Sequence, residues 1–312
     1  MNEYRRLLML VALTLSQLSV AEVGRQCNHY ASNRLNKKVT YCVERSHPEQ
    51  PSLNEPVIYF LHGLGGDHDD WVEKKYSKAL QTLVGEDPNF PSLTFISFDT
   101  EIDSFFSDFE GVATGSKSYE SWFINEFIPL IEDKFKVCKD RSCRGLAGFS
   151  MGGFGALKIG LKFPELFSLS AANSPVLPPF SLYEEVALWK DFFRQQPIGL
   201  IKGMVLLRDV KRIFPTQELY QENNPIDLVR NFPNSSSVPE IYFDVGSEDN
   251  FGFQVGYEIF KNTLDSKYFP YTSYLEDGGN HSIYLYRNRN LLQFMKRWVK
   301  HQSQPLWPPF SP

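Results

Sequence analysis

Apolar residues along this chain fall into short unbroken runs and into longer stretches spaced for a helix. Val57-Ile58-Tyr59-Phe60-Leu61 and Leu93-Thr94-Phe95-Ile96-Ser97-Phe98 scarcely alternate, as expected of strands buried on both faces. Similar runs predict strands over 166–172, 239–244 and 271–275. Lys38-Val39-Thr40-Tyr41-Cys42-Val43 does alternate, which marks one of two edge strands expected within 28–56. Residues 118–135 place Ile124, Phe127, Ile128, Ile131 and Phe135 on one helical face, with Pro129 expected to kink that helix. Further helices are expected from Trp71 to about 84, over 250–264, and from His281-Ser282 to about 299. Strands alternating with helices imply an α/β fold, a mostly parallel sheet covered on both faces. Residues 176–230 break this rhythm. They are rich in Phe, Leu and Pro with helical patches such as 182–194, and are expected to form a lid insertion over the site.

The sharpest local pattern lies midway. Leu146-Ala147 ends an apolar strand, Gly148-Phe149-Ser150-Met151-Gly152 turns, and Phe154, Ala156, Leu157, Ile159 and Leu161 continue as a helix. A serine held on such a strand–turn–helix junction projects its hydroxyl from the sheet. Gly148 and Gly152 stand where side chains would collide with the crossing strand and helix.

Composition narrows the reading. The 312 residues are 42% hydrophobic and 22% charged, enough for a sizeable core and in keeping with one α/β domain over 22–312. A net charge of −5 lacks the basic footprint of a nucleic-acid binder. Arg5 and Arg6 precede an apolar stretch over 7–18 and a small-residue site at Ser19-Val20-Ala21. That is the layout of a signal peptide over 1–21, too short for a stable membrane span, so an exported protein, periplasmic or secreted, is expected. The four cysteines fit an oxidising compartment. They allow three pairings, of which the local one, Cys27–Cys42 and Cys138–Cys143, is favoured. No cluster of His and Cys accompanies them, so no metal is expected.

A serine hydroxyl needs a base, a group to orient that base, and donors for the oxyanion. Of the six histidines only His281 and His301 follow Ser150. His301 lies past the last helix, whereas His281 sits in a loop just beyond a strand and is taken as the base. The acid belongs to Val245-Gly246-Ser247-Glu248-Asp249-Asn250. Asp249 is preferred, Glu248 is second, and an N-cap role for Asp249 stays open. Asp244, still within the strand, reads as structural. Oxyanion donors are expected from the backbone N–H of Met151, at the positive end of a helix, and of Leu64, in the loop after the 57–61 strand. His62 is expected to brace that loop. The chemistry needs no cofactor.

With these residues in view, the chain resembles the esterase D or putative esterase family of α/β-hydrolases, which includes S-formylglutathione hydrolases, feruloyl and other acyl esterases, and mycolyltransferases. The resemblance rests on His62-Gly63-Leu64-Gly65-Gly66 with Trp71, Phe127-Ile128-Pro129, the Gly148–Leu157 stretch, Phe163-Pro164-Glu165-Leu166-Phe167, Asn224-Pro225, Asp244–Asp249 and Gly278-Gly279-Asn280-His281-Ser282. It implies an α/β-hydrolase fold, a Ser150–His281–Asp249 triad with Leu64 and Met151 as oxyanion donors, and a small-molecule, glycan or lipid ester as substrate. Ser174-Pro175 stands where the family often has Ser-Gly, and 176–230 is longer than in compact members. The leader and cysteines disfavour a cytosolic S-formylglutathione hydrolase role. A serine esterase is therefore expected. An acyltransferase using a sugar or lipid alcohol is the alternative, and a non-catalytic binding domain is the remote one.

Overall fold

The computed structural model describes residues 24–111, 115–233, 237–282 and 285–302; the expected signal peptide lies outside them. The strands are β1 (Arg25–Ser32), β2 (Lys37–Arg45), β3 (Val57–Leu61), β4 (Thr94–Phe98), β5 (Asp108–Gly111), β6 (Gly115–Ser118), β7 (Arg144–Phe149), β8 (Leu169–Asn173), β9 (Glu240–Gly246) and β10 (Tyr271–Glu276). Eight of them form one sheet in the order β1-β2-β4-β3-β7-β8-β9-β10. All pairings from β4 to β10 are parallel, while β2 is antiparallel to both its neighbours. The chain builds β4 on one side of β3 and later adds β7 on the other. Connections therefore diverge between β3 and β7, and a crevice opens past their carboxyl ends.

The helices of five or more residues are α1 (Tyr76–Glu86), α2 (Tyr119–Trp122, Phe123–Phe127 and Ile128–Phe135 in succession), α3 (Met151–Lys162), α4 (Val186–Arg194), α5 (Leu200–Ile213), α6 (Gln217–Gln221), α7 (Pro225–Arg230), α8 (Phe253–Ser266) and α9 (Leu285–Gln302); the helix expected from Trp71 is split, with a short turn Asp70–Glu73 ahead of α1. β3 shows why the sheet is covered on both sides. Val57, Tyr59 and Leu61 enter the apolar layer shared with α2, α3 and α8. Ile58 and Phe60 enter the layer built with α1 and α9. Next to Pro129, where a kink is expected, the helix departs from α geometry: Phe123–Phe127, just ahead of it, is π-helical. Proline cannot donate to the preceding turn, and a widened turn absorbs that loss.

Two helix starts need adjustment, and one ribbon went unread. The final helix begins at Leu285, and His281-Ser282 precede it as a bend; no apolar periodicity separates the two cases, because the loop residues Asn280-His281-Ser282 are all polar. The 250–264 helix begins at Phe253. The β5–β6 ribbon went unread, since its strands carry almost no apolar run. Both local disulfides are present. Cys27 and Cys42 are direct partners across β1 and β2, and Cys138–Cys143 closes the turn before β7. Closing a loop of 15 residues stabilises by about 3 kcal/mol. Among the described residues no helix is long and apolar enough to cross a membrane.

One buried charge on α3 makes a stability prediction. Lys158 is fully buried; its Nζ donates to Phe106 O at 2.6 Å and Ser107 Oγ at 2.7 Å and lies 2.8 Å from Glu120 Oε2. Burial lowers its pKa from 10.5 to about 8, partly opposed by Glu120. Above pH 8 the folded chain has released a proton that the unfolded chain still holds, so stability rises with pH. Above about pH 9.5 the buried tyrosines, among them Tyr76 and Tyr242, reverse the slope, because burial raises their pKa. Thermal midpoints measured between pH 7.5 and 9.5 are expected to climb in the wild type and to flatten in Lys158→Met. Parallel curves would remove Lys158 from this account.

Candidate active site

Ser150 joins β7 to α3 with φ 55° and ψ −114°, a region that side chains rarely occupy. The neighbouring backbone explains how the position is held. A Cβ on Gly152 would lie 1.9 Å from Leu61 O, and one on Gly148 would lie 2.2 Å from Gly152 O. The elbow can therefore close only with glycine at both places. Ser150 N donates to Asn173 O at 3.0 Å, and Ser150 O accepts from Phe154 and Val176. The turn is thus tied to β8, to its own helix and to the start of 176–230.

His281 Nε2 lies 2.9 Å from Ser150 Oγ, and His281 Nδ1 lies 2.7 Å from Asp249 Oδ2. Asp249 is completely buried, and its other oxygen accepts from Phe251 N at 2.9 Å. Helix α8 has Gly252 as its N-cap without a side-chain bond, so Asp249 does not serve as that cap. Asp249 rather than Glu248 reaches the histidine; the Glu248 backbone N–H instead holds Gly279 O. The His281 ring is enclosed by Phe149, Phe251 and Phe253, with centroids 5.3, 4.6 and 5.5 Å away. Sequence reading missed this aromatic sleeve, although Phe251-Gly252-Phe253, two residues past Asp249, was the available signal.

The loop after β3 is braced from both ends. Gly63 N donates to the buried Asp70 carboxylate at 2.8 Å, and Gly65 N donates to Ile102 O. His62 is buried, with Nδ1 2.8 Å from Gly63 O and Nε2 2.8 Å from Thr100 Oγ1. Burial lowers its pKa, and these partners fit a neutral ring with the proton on Nδ1. It has the bracing place expected of it. Leu61 pairs with Gly148, so this loop leaves the sheet beside the elbow. Among the described residues the Leu64 N–H has no acceptor, and Met151 is the first residue of α3, where helix geometry leaves the N–H unpaired.

A separate group, Asp67, His68 and Asp99, brings ligand atoms within 4.8 Å of one another. These side chains are engaged already: His68 Nδ1 lies 2.5 Å from Asp99 Oδ1. The other such groupings include cysteines held in disulfides.

Comparison with known proteins agrees with this architecture. The S-formylglutathione hydrolase of Agrobacterium tumefaciens superposes with a TM-score of 0.66 at 17% identity, over 90% of this chain and 96% of that one. A ferulic acid esterase of Anaeromyces mucronatus, solved with ferulic acid, gives 0.62 at 16% identity over 91% and 94%. At such identities the likeness establishes the α/β-hydrolase fold. An esterase of Mycobacterium tuberculosis is 26% identical over 243 residues, 72% of this chain and 48% of the relative; the match thus spans about half of that relative's length. The S-formylglutathione hydrolase of Paracoccus denitrificans is 26% identical over 156 residues, 43% of this chain and 55% of its own. The family model described as putative esterase matches residues 32–298, so the chain belongs to the putative esterase family.

Proposed function

We propose that the protein is an exported serine esterase in which Ser150 is the nucleophile, His281 the general base and Asp249 the group that orients it. The observation carrying this reading is the hydrogen-bonded series Asp249–His281–Ser150 at a serine with φ 55°. His281 takes the Ser150 proton as the hydroxyl attacks the ester carbonyl, and Asp249 stabilises the resulting imidazolium. The Leu64 and Met151 N–H groups receive the oxyanion. His281 then protonates the leaving alcohol, and water releases the acyl group by the reverse roles. The two disulfides and the 1–21 leader pattern support export.

Residues 176–230 are read as a cap within one domain over 22–312. Beneath them, Val176, Trp189 and Phe192 meet Phe251 and Phe253 around an apolar cavity of about 30 Å³. Val176 is bonded to Ser150 O, and the two phenylalanines flank His281. The cavity is lined mainly by residues of the cap itself and reaches His281 only through Phe251 and Phe253; read as the end of the acyl pocket, it leaves room for a short acyl group alone. With p-nitrophenyl esters, the rate is expected to be highest for acetate and propionate and to fall steeply by octanoate. A fluorophosphonate probe is expected to label Ser150. Highest rates on long chains would refute the cavity assignment, and neither hydrolysis nor labelling would refute the esterase reading. Added sugar or lipid alcohols test the acyltransferase alternative: an acyl product outpacing hydrolysis would establish transfer.

A further inference from the structure

Behind the site, Arg287 of α9 and Asp244 of β9 form an ion pair with both side chains almost fully buried. The guanidinium touches two parts of the site at once. Its Nη1 donates to Ser282 O at 3.0 Å, one residue past His281, and its Nη2 donates to Ser174 Oγ at 2.7 Å as well as to Asp244. Asp244 Oδ2 accepts from Asn173 Nδ2 at 2.6 Å and from Tyr242 Oη at 3.0 Å. Asn173 in turn receives the Ser150 N–H on its carbonyl and Tyr76 Oη on its side chain. An unbroken path of bonds therefore runs from the base loop, through Arg287, Asp244 and Asn173, to the nucleophile.

Stability alone gives a weak reason for such a pair, because well-packed apolar residues often replace a buried ion pair without loss. What apolar residues cannot supply is a donor for the Ser282 carbonyl and an acceptor for Asn173. We infer that Arg287 and Asp244 are positioning residues, which hold the His281 loop and the Ser150 elbow at a fixed separation. This rests on the assignment of Ser150 and His281 as nucleophile and base. Misplacing a reacting group by about 1 Å typically lowers the rate by about 100-fold.

The test compares wild type, Ser150→Ala, Arg287→Lys and the uncharged double variant Asp244→Asn/Arg287→Met, which leaves neither buried charge alone. The double variant is expected to fold, with kcat lowered about 100-fold at little-changed KM and a displaced acid limb in its pH profile. Arg287→Lys, able to keep part of the contact, is expected to fall between it and wild type. Wild-type kcat and pH profile in the double variant, whatever its thermal midpoint, would overturn the inference and leave the pair a structural feature. Ser150→Ala separates the two questions. Retained activity there would reject the nucleophile assignment, and the His281 Nδ1 proton resonance by NMR would still decide about the pair. Broadening of that resonance in the double variant is the expected result, and an unchanged resonance overturns the inference.

Discussion

Ser150→Ala is expected to lower kcat on p-nitrophenyl acetate by about a million-fold. On the proposed mechanism, truncation removes the atom that forms the acyl-enzyme and leaves His281 with nothing to deprotonate. The Leu64 and Met151 N–H groups would remain and sustain only a weak residual rate. Folding should survive, because the hydroxyl bonds only to His281 among the described residues. Ser150→Gly carries a sharper expectation. It should be equally inactive yet more stable than Ser150→Ala, since φ 55° and ψ −114° strain any side chain but not glycine. Thermal midpoints of the two variants, measured beside their activities, check both statements. An alanine variant within tenfold of wild type would exclude Ser150 as nucleophile, and a less stable glycine variant would exclude stored strain at the elbow.

Gly152→Ala has the largest expected effect on stability. Its new methyl would lie 1.9 Å from Leu61 O and 2.4 Å from Leu61 C. Both are backbone atoms of β3, held by parallel pairing on either side. No rotamer change relieves the clash, so the elbow must move away from the end of β3 and the loop that follows it. A loss of more than about 4 kcal/mol is expected, read as a collapse of the thermal midpoint or as no folded protein. Gly85→Ala supplies the control. Gly85 lies in α1 with open space around it, and the same substitution there should stabilise by up to about 1 kcal/mol. A normal midpoint in Gly152→Ala would refute the steric account.

Much of the fold was legible because its causes are local. An unbroken run such as Val57–Leu61 has to find two apolar layers, and it does. The Cys27–Cys42 pairing follows from a hairpin whose register sets the two residues opposite each other. Gly148-Phe149-Ser150-Met151-Gly152 announces a turn by composition alone. Where no such local cause exists, sequence reading stopped. The β5–β6 ribbon lacks an apolar run, and the start of α9 lies in polar residues that fit a loop or a first helical turn equally well.

The site divides along the same line. Sequence by itself determined the strained serine, a histidine beyond a late strand, and a loop with two carboxylates, because each is written within a few consecutive residues. Tertiary structure alone brought Asp249 rather than Glu248 against His281, closed the phenylalanines around that ring, and joined Asp244 to Arg287. The Asp249–His281 and Asp244–Arg287 contacts link residues 32 and 43 positions apart. They depend on how the carboxyl ends of parallel strands converge when the sheet twists and its helices pack. No stretch of the chain carries that geometry, because it arises only when both faces of the sheet are buried at once.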